Sequence, residues 1–147
     1  MGNLKLTSSS FEDGGEIPRE CGYKKGNEVP HLSVDEWPDG TKSLALIMDD
    51  PDAKAAVGKV WVHWVVWNID PTKTELELAK STEGMTDFGE VGYGGPAPPD
   101  KMHTYVFKLY ALDSELDLPD KSTKADVEKA MEGHIIEQAT LEGTYAP

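Results

Sequence analysis

The chain has 147 residues, 38% of them hydrophobic, which is enough to build the core of one domain spanning residues 1–147. Its 27 acidic and 14 basic residues give a formal net charge of −13, which argues against nucleic acid as a partner because phosphates would be repelled. Cys21 is the only cysteine, which excludes an intramolecular disulfide and a cysteine-based metal cage.

The amino-terminal part of the chain has few residues suited to a core. Leu4–Thr7 alternates weakly and predicts an edge strand, whereas Ser8–Pro30 is rich in turn residues and is expected to wrap the surface. The first residues lack an apolar segment flanked by basic residues, and no apolar run reaches the roughly 20 residues of a membrane span. We therefore expect a cytoplasmic protein with no integral membrane association.

Three apolar segments predict the main strands. Ser43–Met48, between an Asp-Gly turn and an Asp-Pro pair, predicts a buried strand. Val60–Ile69 is apolar at both phases of the period-two alternation, which predicts a central strand covered on both faces. Tyr105–Leu112 predicts a third strand. The interval before it exceeds the roughly 12–15 residues usual for structureless loops, so we expect it to be partly folded, with a short element at Leu76–Lys80.

The carboxy-terminal region predicts one helix and one strand. Ser122–Asp126 places a hydroxyl cap before an acid, which predicts the start of a helix that ends near Gly133. Beyond it, Ile135–Leu141 alternates as a final strand. Because strands outnumber helices, the sequence predicts a mainly β fold with an antiparallel sheet.

His63 is the polar residue that stands out within the second predicted strand. Simple alternation places it on one face with Trp61 and Val65, so its ring needs a hydrogen-bond partner among apolar neighbours. That need predicts an acidic neighbour. From spacing alone, a core histidine with its hydrogen bonds satisfied is the more common explanation.

The segment 92–112 runs from a glycine- and proline-rich loop into the third strand. Glycine lets backbone N–H groups approach an anion, and proline fixes the loop in advance. We therefore expect a preformed loop that binds a small anion, with His103 and Tyr105 where the loop meets the strand.

Three motifs accompany these strands: Asp-Pro-Asp-Ala at 50–53, Trp-x-His at 61–63, and Gly-Gly-Pro at 94–96 followed by His-x-Tyr at 103–105. Together they resemble the phosphatidylethanolamine-binding protein family, also called Raf kinase inhibitor-like proteins. The resemblance extends from Phe11–Gly14 to Leu141–Tyr145, and Thr86–Tyr93 is similar to the bacterial and archaeal branch. It implies a large central β-sheet, a smaller second sheet, and a carboxy-terminal helix near the mouth of a pocket.

The resemblance also implies a ligand site. Asp50 would line the pocket against His63 and favour its imidazolium form, Gly95 would supply an anion-facing N–H, and Tyr105 would donate from its phenol. The residues implied for the site are Asp50, His63, Gly95, Tyr105, His103, Trp61, Pro96 and Ala97. Each of these residues can also be explained without a ligand, as part of a turn, as a core aromatic or as part of a tight loop.

Three positions near these motifs refine the expectation. Asp52 is expected to brace the turn that follows the predicted strand Ser43–Met48. Lys54 stands where the family usually has proline, and it is a candidate to supply a charge to the ligand. Thr104 stands where arginine is common, which removes a cation from the pocket mouth.

The function implied is binding of a small anion or a phosphorylated headgroup, with a protein kinase or protease as a protein partner and a homodimer as the assembly. No cofactor and no metal are expected, although Asp50, His63 and His103 could in principle hold a divalent ion. The alternative is a hydrolase acting on a small phosphate or acyl ester. Without a Gly-x-Ser-x-Gly elbow or another evident nucleophile, the sequence favours binding over turnover.

Overall fold

The computed structural model describes residues 4–72, 76 and 81–147. These residues form two β-sheets, two short α-helices and one 3-10 turn at Arg19–Cys21. The strands are β1 (Lys5–Thr7), β2 (Gly15–Glu16), β3 (Ser33–Asp35), β4 (Ser43–Asp50), β5 (Trp61–Ile69), β6 (Thr82–Glu83), β7 (His103–Leu112) and β8 (Ile135–Tyr145). The helices are α1 (Ala53–Val57) and α2 (Lys124–Met131).

The large sheet has six strands in the order β2-β8-β7-β4-β5-β6, and β1 and β3 form the small sheet. Neighbouring strands are antiparallel, except that β2 runs parallel to β8. The prediction of a mainly β fold with a large and a small sheet is therefore confirmed. Four of the predicted strands appear as β1, β4, β5 and β7, and the predicted final strand is β8.

Strand β4 lies at the centre of the large sheet, and all of its residues are buried. Its side chains alternate between two hydrophobic clusters: Leu46 and Met48 belong to one, and Ala45 and Ile47 to the other. The sheet is thus covered on both faces, as the apolar runs predicted.

Each face has a different cover. The first cluster includes Phe11, Ile17 and Val34, so the amino-terminal segment and the small sheet cover that face. The segment 8–30 wraps the surface as expected, yet it also contributes buried anchors to the core. The second cluster includes Val127 and Met131 of α2.

Helix α2 begins where the sequence predicted. The Thr123 side chain accepts a hydrogen bond from Asp126 N, and the Asp126 carboxylate accepts one from Thr123 N, which forms a capping box. Lys124 Nζ lies 2.8 Å from Asp49 Oδ2 and fastens the helix to β4. The short element expected at Leu76–Lys80 lies outside the described residues, apart from Leu76 itself.

Two bulges in β5 change which of its side chains share a face. Near its end, Val66 pairs with Leu46 and Ile69 pairs with Leu44, so β5 uses one more residue than β4. Ile69 therefore joins Leu46 in the first cluster, whereas Trp67 packs in the second. A strict period-two alternation would put Trp67 and Ile69 on the same face, and the bulge breaks it at this point.

Candidate functional site

A cavity of about 210 Å³ lies beside the ends of β4 and β5. Drug-sized ligands usually occupy pockets of roughly 300–1,000 Å³, so this cavity fits only a small chemical group. The helix that borders it is α1, not the carboxy-terminal helix implied by the resemblance. The lining residues are Asp50, Ala53, Val57, Trp61, His63, Phe88, Ala97 and Pro99.

The second bulge in β5 brings His63 to this cavity. The ladder pairs Trp64 with Met48 and then Val62 with Asp49, which leaves His63 without an opposite residue in β4. A bulge of this kind turns two consecutive side chains toward the same side of the sheet.

The result is a change in the neighbours of His63. Its ring packs edge-to-face on Tyr105, with centroids 5.1 Å apart, and Tyr105 belongs to the same cluster as Trp64. Val65 belongs to the opposite cluster. Sequence alternation was right to place His63 with Trp61, which also lines the cavity, and wrong to place it with Val65.

The hydrogen bond of His63 fixes its tautomer. Nδ1 lies 2.7 Å from Gly94 O and donates to it, so in the neutral ring Nε2 carries the lone pair. Burial lowers the pKa of His63, and the Gly94 carbonyl and the charge of Asp50 offset this effect only partly. The ring is therefore neutral at pH 7, and Nε2 is the nitrogen left for a group in the cavity.

The imidazole that is paired with Asp50 belongs to His103. Its Nδ1 lies 2.6 Å from Asp50 Oδ2, and its Nε2 lies 2.7 Å from Asp100 Oδ1. Burial lowers the pKa of His103, but the hydrogen bonds to both carboxylates outweigh it, and the net shift is upward. The expectation that Asp50 orients His63 is corrected here: Asp50 acts on His63 only through its charge.

Asp50 is held in place from two sides. One carboxylate oxygen accepts from His103, and the other accepts from Ala53 N at 3.2 Å. Because His103 donates to Asp50, it offsets part of the negative charge that the acid brings to the cavity. This matters for an anion, which an unpaired buried carboxylate would repel.

Tyr105 has a hydroxyl without a partner. Among the described residues, Tyr105 Oη is the only buried side-chain nitrogen or oxygen that lacks a hydrogen bond. Burial raises the pKa of Tyr105, and the charge of Asp50 raises it further, so the phenol keeps its proton. The Asp50 carboxylate and the Ala97 backbone act on the pKa of the phenol as weak hydrogen-bonding groups, without standard hydrogen-bond geometry, and both residues line the cavity.

Gly95 and Pro96 hold the loop rather than line the cavity. Gly95 N donates to Asn27 Oδ1 at 2.7 Å, so the N–H that was expected to face an anion is already used. A Cβ at Gly95 would lie 2.0 Å from Cys21 O, which explains the glycine. Pro96 O accepts from Tyr23 N at 2.9 Å. Of the expected loop residues, Ala97 is the one that lines the cavity.

Phe88 is a cavity residue that sequence reasoning missed. Its ring stacks on Tyr23, with centroids 4.1 Å apart, and meets Trp61 and His63 edge-on. A Cβ at Gly94 would lie 2.5 Å from the Phe88 ring, so the glycine permits this close packing. The only signal was its place within the segment 86–93. Ala53 ended the Asp-Pro-Asp-Ala motif and Pro99 lay in the proline-rich loop, but neither was named as a site residue, and Val57 gave no signal.

The three refining positions lie at the border of the site. Asp52 Oδ2 accepts from Thr104 N at 2.8 Å, so Asp52 ties the start of α1 to the start of β7. Lys54 is exposed and does not line the cavity. Asp52 thus connects the helix α1 to the strand β7, whereas the sequence predicted that it braces its own turn.

The described residues contain neither a metal-binding cluster nor a helix that could span a membrane. In the part of the chain that the structure describes, no three histidine, cysteine, aspartate or glutamate side chains form a metal-binding group. Both ring nitrogens of His103 are engaged by carboxylates, so it is not oriented toward an ion shared with His63. No helix within the same residues is long and apolar enough to cross a membrane.

The fold and the cavity define a class of β proteins with a small aromatic pocket beside a Gly-Gly-Pro loop. The family model described as phosphatidylethanolamine-binding protein matches residues 7–146. The chain belongs to this family.

Relatives of similar length support this assignment. A UPF0098 protein of Methanothermobacter thermautotrophicus is 45% identical over 97% of this chain and 98% of its own length. A UPF0098 protein of Chlamydia muridarum is 42% identical over the same shares of the two chains.

Solved structures agree with the fold. A putative phosphatidylethanolamine-binding protein homologue of Chlamydia trachomatis superimposes with a TM-score of 0.91 at 37% identity, covering 99% of this chain and 98% of the other. YbcL of E. coli gives a TM-score of 0.87 at 30% identity, covering 97% of each chain. The structure of a carboxypeptidase Y inhibitor with its proteinase gives a TM-score of 0.60 at 18% identity, covering 97% of this chain and 82% of the other, a likeness of fold alone.

Proposed function

We propose that the cavity binds the phosphate of a small phosphorylated headgroup, or a comparable small oxyanion. The observation that carries the proposal is the unpartnered hydroxyl of Tyr105. A buried hydroxyl without a hydrogen bond costs about 1–3 kcal/mol, so a ligand oxygen that accepts from it recovers part of that free energy. Tyr105 is buried behind the lining of the cavity, and His63, which contacts its ring, is one of the lining residues.

His63 makes the proposed binding depend on protonation. When the ring is neutral, Nε2 can only accept, so it suits a phosphate monoester that still carries a proton; the second pKa of such esters is about 6. When the ring is protonated, Nε2 donates to the oxyanion and adds a positive charge. Because the pKa of His63 is lowered, the donating form develops below pH 6.5.

The walls support a headgroup rather than a whole lipid. Apart from Asp50 and His63, the lining consists of apolar residues, and the volume is about 210 Å³. That space suits a phosphate and a few attached carbons, and it is too small for acyl chains.

The hydrolase alternative has no support in the site. None of the residues that line the cavity has a hydroxyl or thiol that could act as a nucleophile. A kinase or protease partner is an expectation from the family resemblance, and the headgroup proposal does not depend on it. The homodimer is likewise an expectation from the family resemblance, and the headgroup proposal does not depend on it.

Calorimetric titration with phosphoethanolamine at pH 6 tests the proposal. We expect saturable binding, and no turnover of chromogenic phosphate or acyl esters by the same preparation. Absence of saturable binding would overturn the headgroup proposal. Ester turnover that is abolished in His63→Ala would establish the hydrolase in its place.

A further inference from the structure

A second hollow borders the same proline-rich loop as the cavity. It is a groove of about 310 Å³, and Ala97 and Pro99 line both hollows. We call it the basic groove. Its lining residues are Arg19, Lys24, Lys25, Pro96, Ala97, Pro98, Pro99, Tyr145 and Pro147.

The charge of the basic groove is opposite to that of the chain. Three of its lining side chains are cations and none is an acid, so the groove is positive even with the α-carboxylate of Pro147 counted, whereas the chain as a whole has a net charge of −13. Surface charges are screened beyond about 10 Å at 0.1 M salt, so the nearest cations dominate the potential that an anion meets in the groove. The groove also lacks histidine, so its charge does not depend on a side chain that titrates near neutral pH.

Arg19 is held in place before any ligand arrives. Its guanidinium carbon lies 4.2 Å from the centroid of the Tyr145 ring, and Nη1 donates to Ala146 O at 2.7 Å. The ring itself is fixed, because Tyr145 Oη donates to Arg19 O at 2.8 Å. A Cβ at Gly22 would lie 2.0 Å from that hydroxyl, so the glycine permits the contact. An ordered arginine loses little conformational freedom when it binds.

Lys24 and Lys25 add charges that are not used elsewhere. Both are exposed, and within the described ranges neither ammonium forms an ion pair with a carboxylate. By contrast, Lys59, Lys108 and Lys124 are each paired with an aspartate. The groove therefore combines one fixed cation with two cations that are free to close on a ligand.

We propose that the basic groove is a second anion site, which binds the phosphate group of a small phosphate compound. A phosphate carries up to two charges, which matches several cations better than one carboxylate would, and arginine binds it through two parallel N–H groups. The rigid proline walls limit the ligand to a small molecule. This site does not require the headgroup cavity to be occupied, so the two proposals stand or fall separately.

Titration with inorganic phosphate at pH 8, followed by backbone amide NMR, tests the groove. At that pH the ring of His63 is neutral, so binding in the cavity is weakest. We expect the amides of Lys24 and Lys25 to shift in a saturable way while that of Phe88 stays in place. A parallel titration with glycerol 3-phosphate distinguishes free phosphate from a phosphate ester as the preferred ligand. Shifts confined to His63 and Phe88 would overturn the proposal.

Two double variants that change the net charge equally separate the loss of the groove lysines from the change in net charge. Lys24→Gln with Lys25→Gln should weaken phosphate binding by about tenfold or more, which corresponds to about 1.4 kcal/mol or more, because the loss of even one charge-assisted hydrogen bond is of that size. Lys42→Gln with Lys129→Gln changes the net charge equally at exposed positions outside the groove. Equal affinities in the two double variants, with native amide spectra for both, would contradict the proposed site.

Discussion

Asp50 and His103 form a buried pair in which the carboxylate and Nδ1 lie 2.6 Å apart. Asp50 ends β4 and His103 begins β7, so the pair joins two central strands at the border of the cavity. Asp100 holds the other ring nitrogen and attaches the proline-rich loop to the same imidazole. One histidine thus stabilises both the floor of the cavity and the loop beside it.

The variant His103→Gln should therefore lose stability in a pH-dependent way. Removing one partner of a buried ion pair typically costs about 3–5 kcal/mol. The pKa of His103 is raised in the folded state, so its contribution is fully present below its unfolded pKa of about 6.5 and is lost as pH rises through the folded pKa. Urea unfolding of both proteins between pH 5 and 9 measures this difference.

The control for that series is His134→Gln. His134 Nδ1 lies 2.8 Å from Asp113 Oδ1, but both side chains are about half exposed. An exposed pair contributes about 0–1 kcal/mol, so the control should change little at any pH. A free-energy difference for His103→Gln that is the same at pH 5 and pH 9 would contradict the assigned ion pair.

Tyr105→Phe should have opposite effects on stability and binding. Removing an unsatisfied buried hydroxyl should leave the free energy of unfolding unchanged or raise it by about 1 kcal/mol. The same change should weaken phosphoethanolamine binding about fivefold to tenfold, because the ligand loses one donor. Chemical denaturation and calorimetry measure the two quantities separately.

Tyr93→Phe is the matched control. Tyr93 Oη donates to Cys21 O at 2.8 Å, so losing that hydroxyl should destabilise the fold by about 1 kcal/mol. If Tyr105→Phe instead destabilised the protein as Tyr93→Phe does, the hydroxyl of Tyr105 would already have a partner and the argument for a ligand there would fail.

Gly95→Ala should disturb the loop through packing rather than through the ligand. The added methyl group would lie 2.0 Å from Cys21 O and 2.9 Å from Tyr23 N, both of them backbone atoms. Overpacking of this kind typically costs about 1–3 kcal/mol. Thermal unfolding measures the loss, and a variant as stable as the parent chain would show that the loop is held differently.

Lys54→Met should leave phosphoethanolamine affinity within about twofold of the parent value, because an exposed charge that does not contact the ligand contributes little. Lys54 is exposed and lies outside the lining of the cavity. Calorimetry at low salt gives the most sensitive comparison. A loss of tenfold or more would mean that the lysine reaches the ligand after all.

Local sequence patterns predicted the strands well and the site only in part. Apolar runs identified β4, β5 and β7 because burial on both faces requires apolar residues at every position. The same patterns missed the bulge at His63, since an extra residue in one strand depends on its register with the next.

The sequence patterns also did not predict which residues far apart in the chain contact each other. Asp50 and His103 are 53 positions apart, and only the register of β4 with β7 brings them together. Likewise, the bond from Gly95 N to Asn27 joins the loop to a segment whose turn-rich sequence gave no sign of that contact. Of the eight residues implied by the resemblance, the cavity is lined by Asp50, His63, Trp61 and Ala97, and the resemblance did not indicate that His103 is the histidine that meets the acid.

The central claim is that His63 and Tyr105 together bind an oxyanion, and the pH dependence of that binding tests it most directly. The ligand of choice is glycerophosphoethanolamine, a phosphodiester whose charge does not change between pH 5 and 8, followed through the NMR signals of His63. The pKa of His63 is lowered by burial, so affinity should rise as pH falls below 6.5, by up to about tenfold per pH unit for the uptake of one proton. The rise should be absent in His63→Gln. An affinity that is independent of pH in the parent chain would contradict the claim.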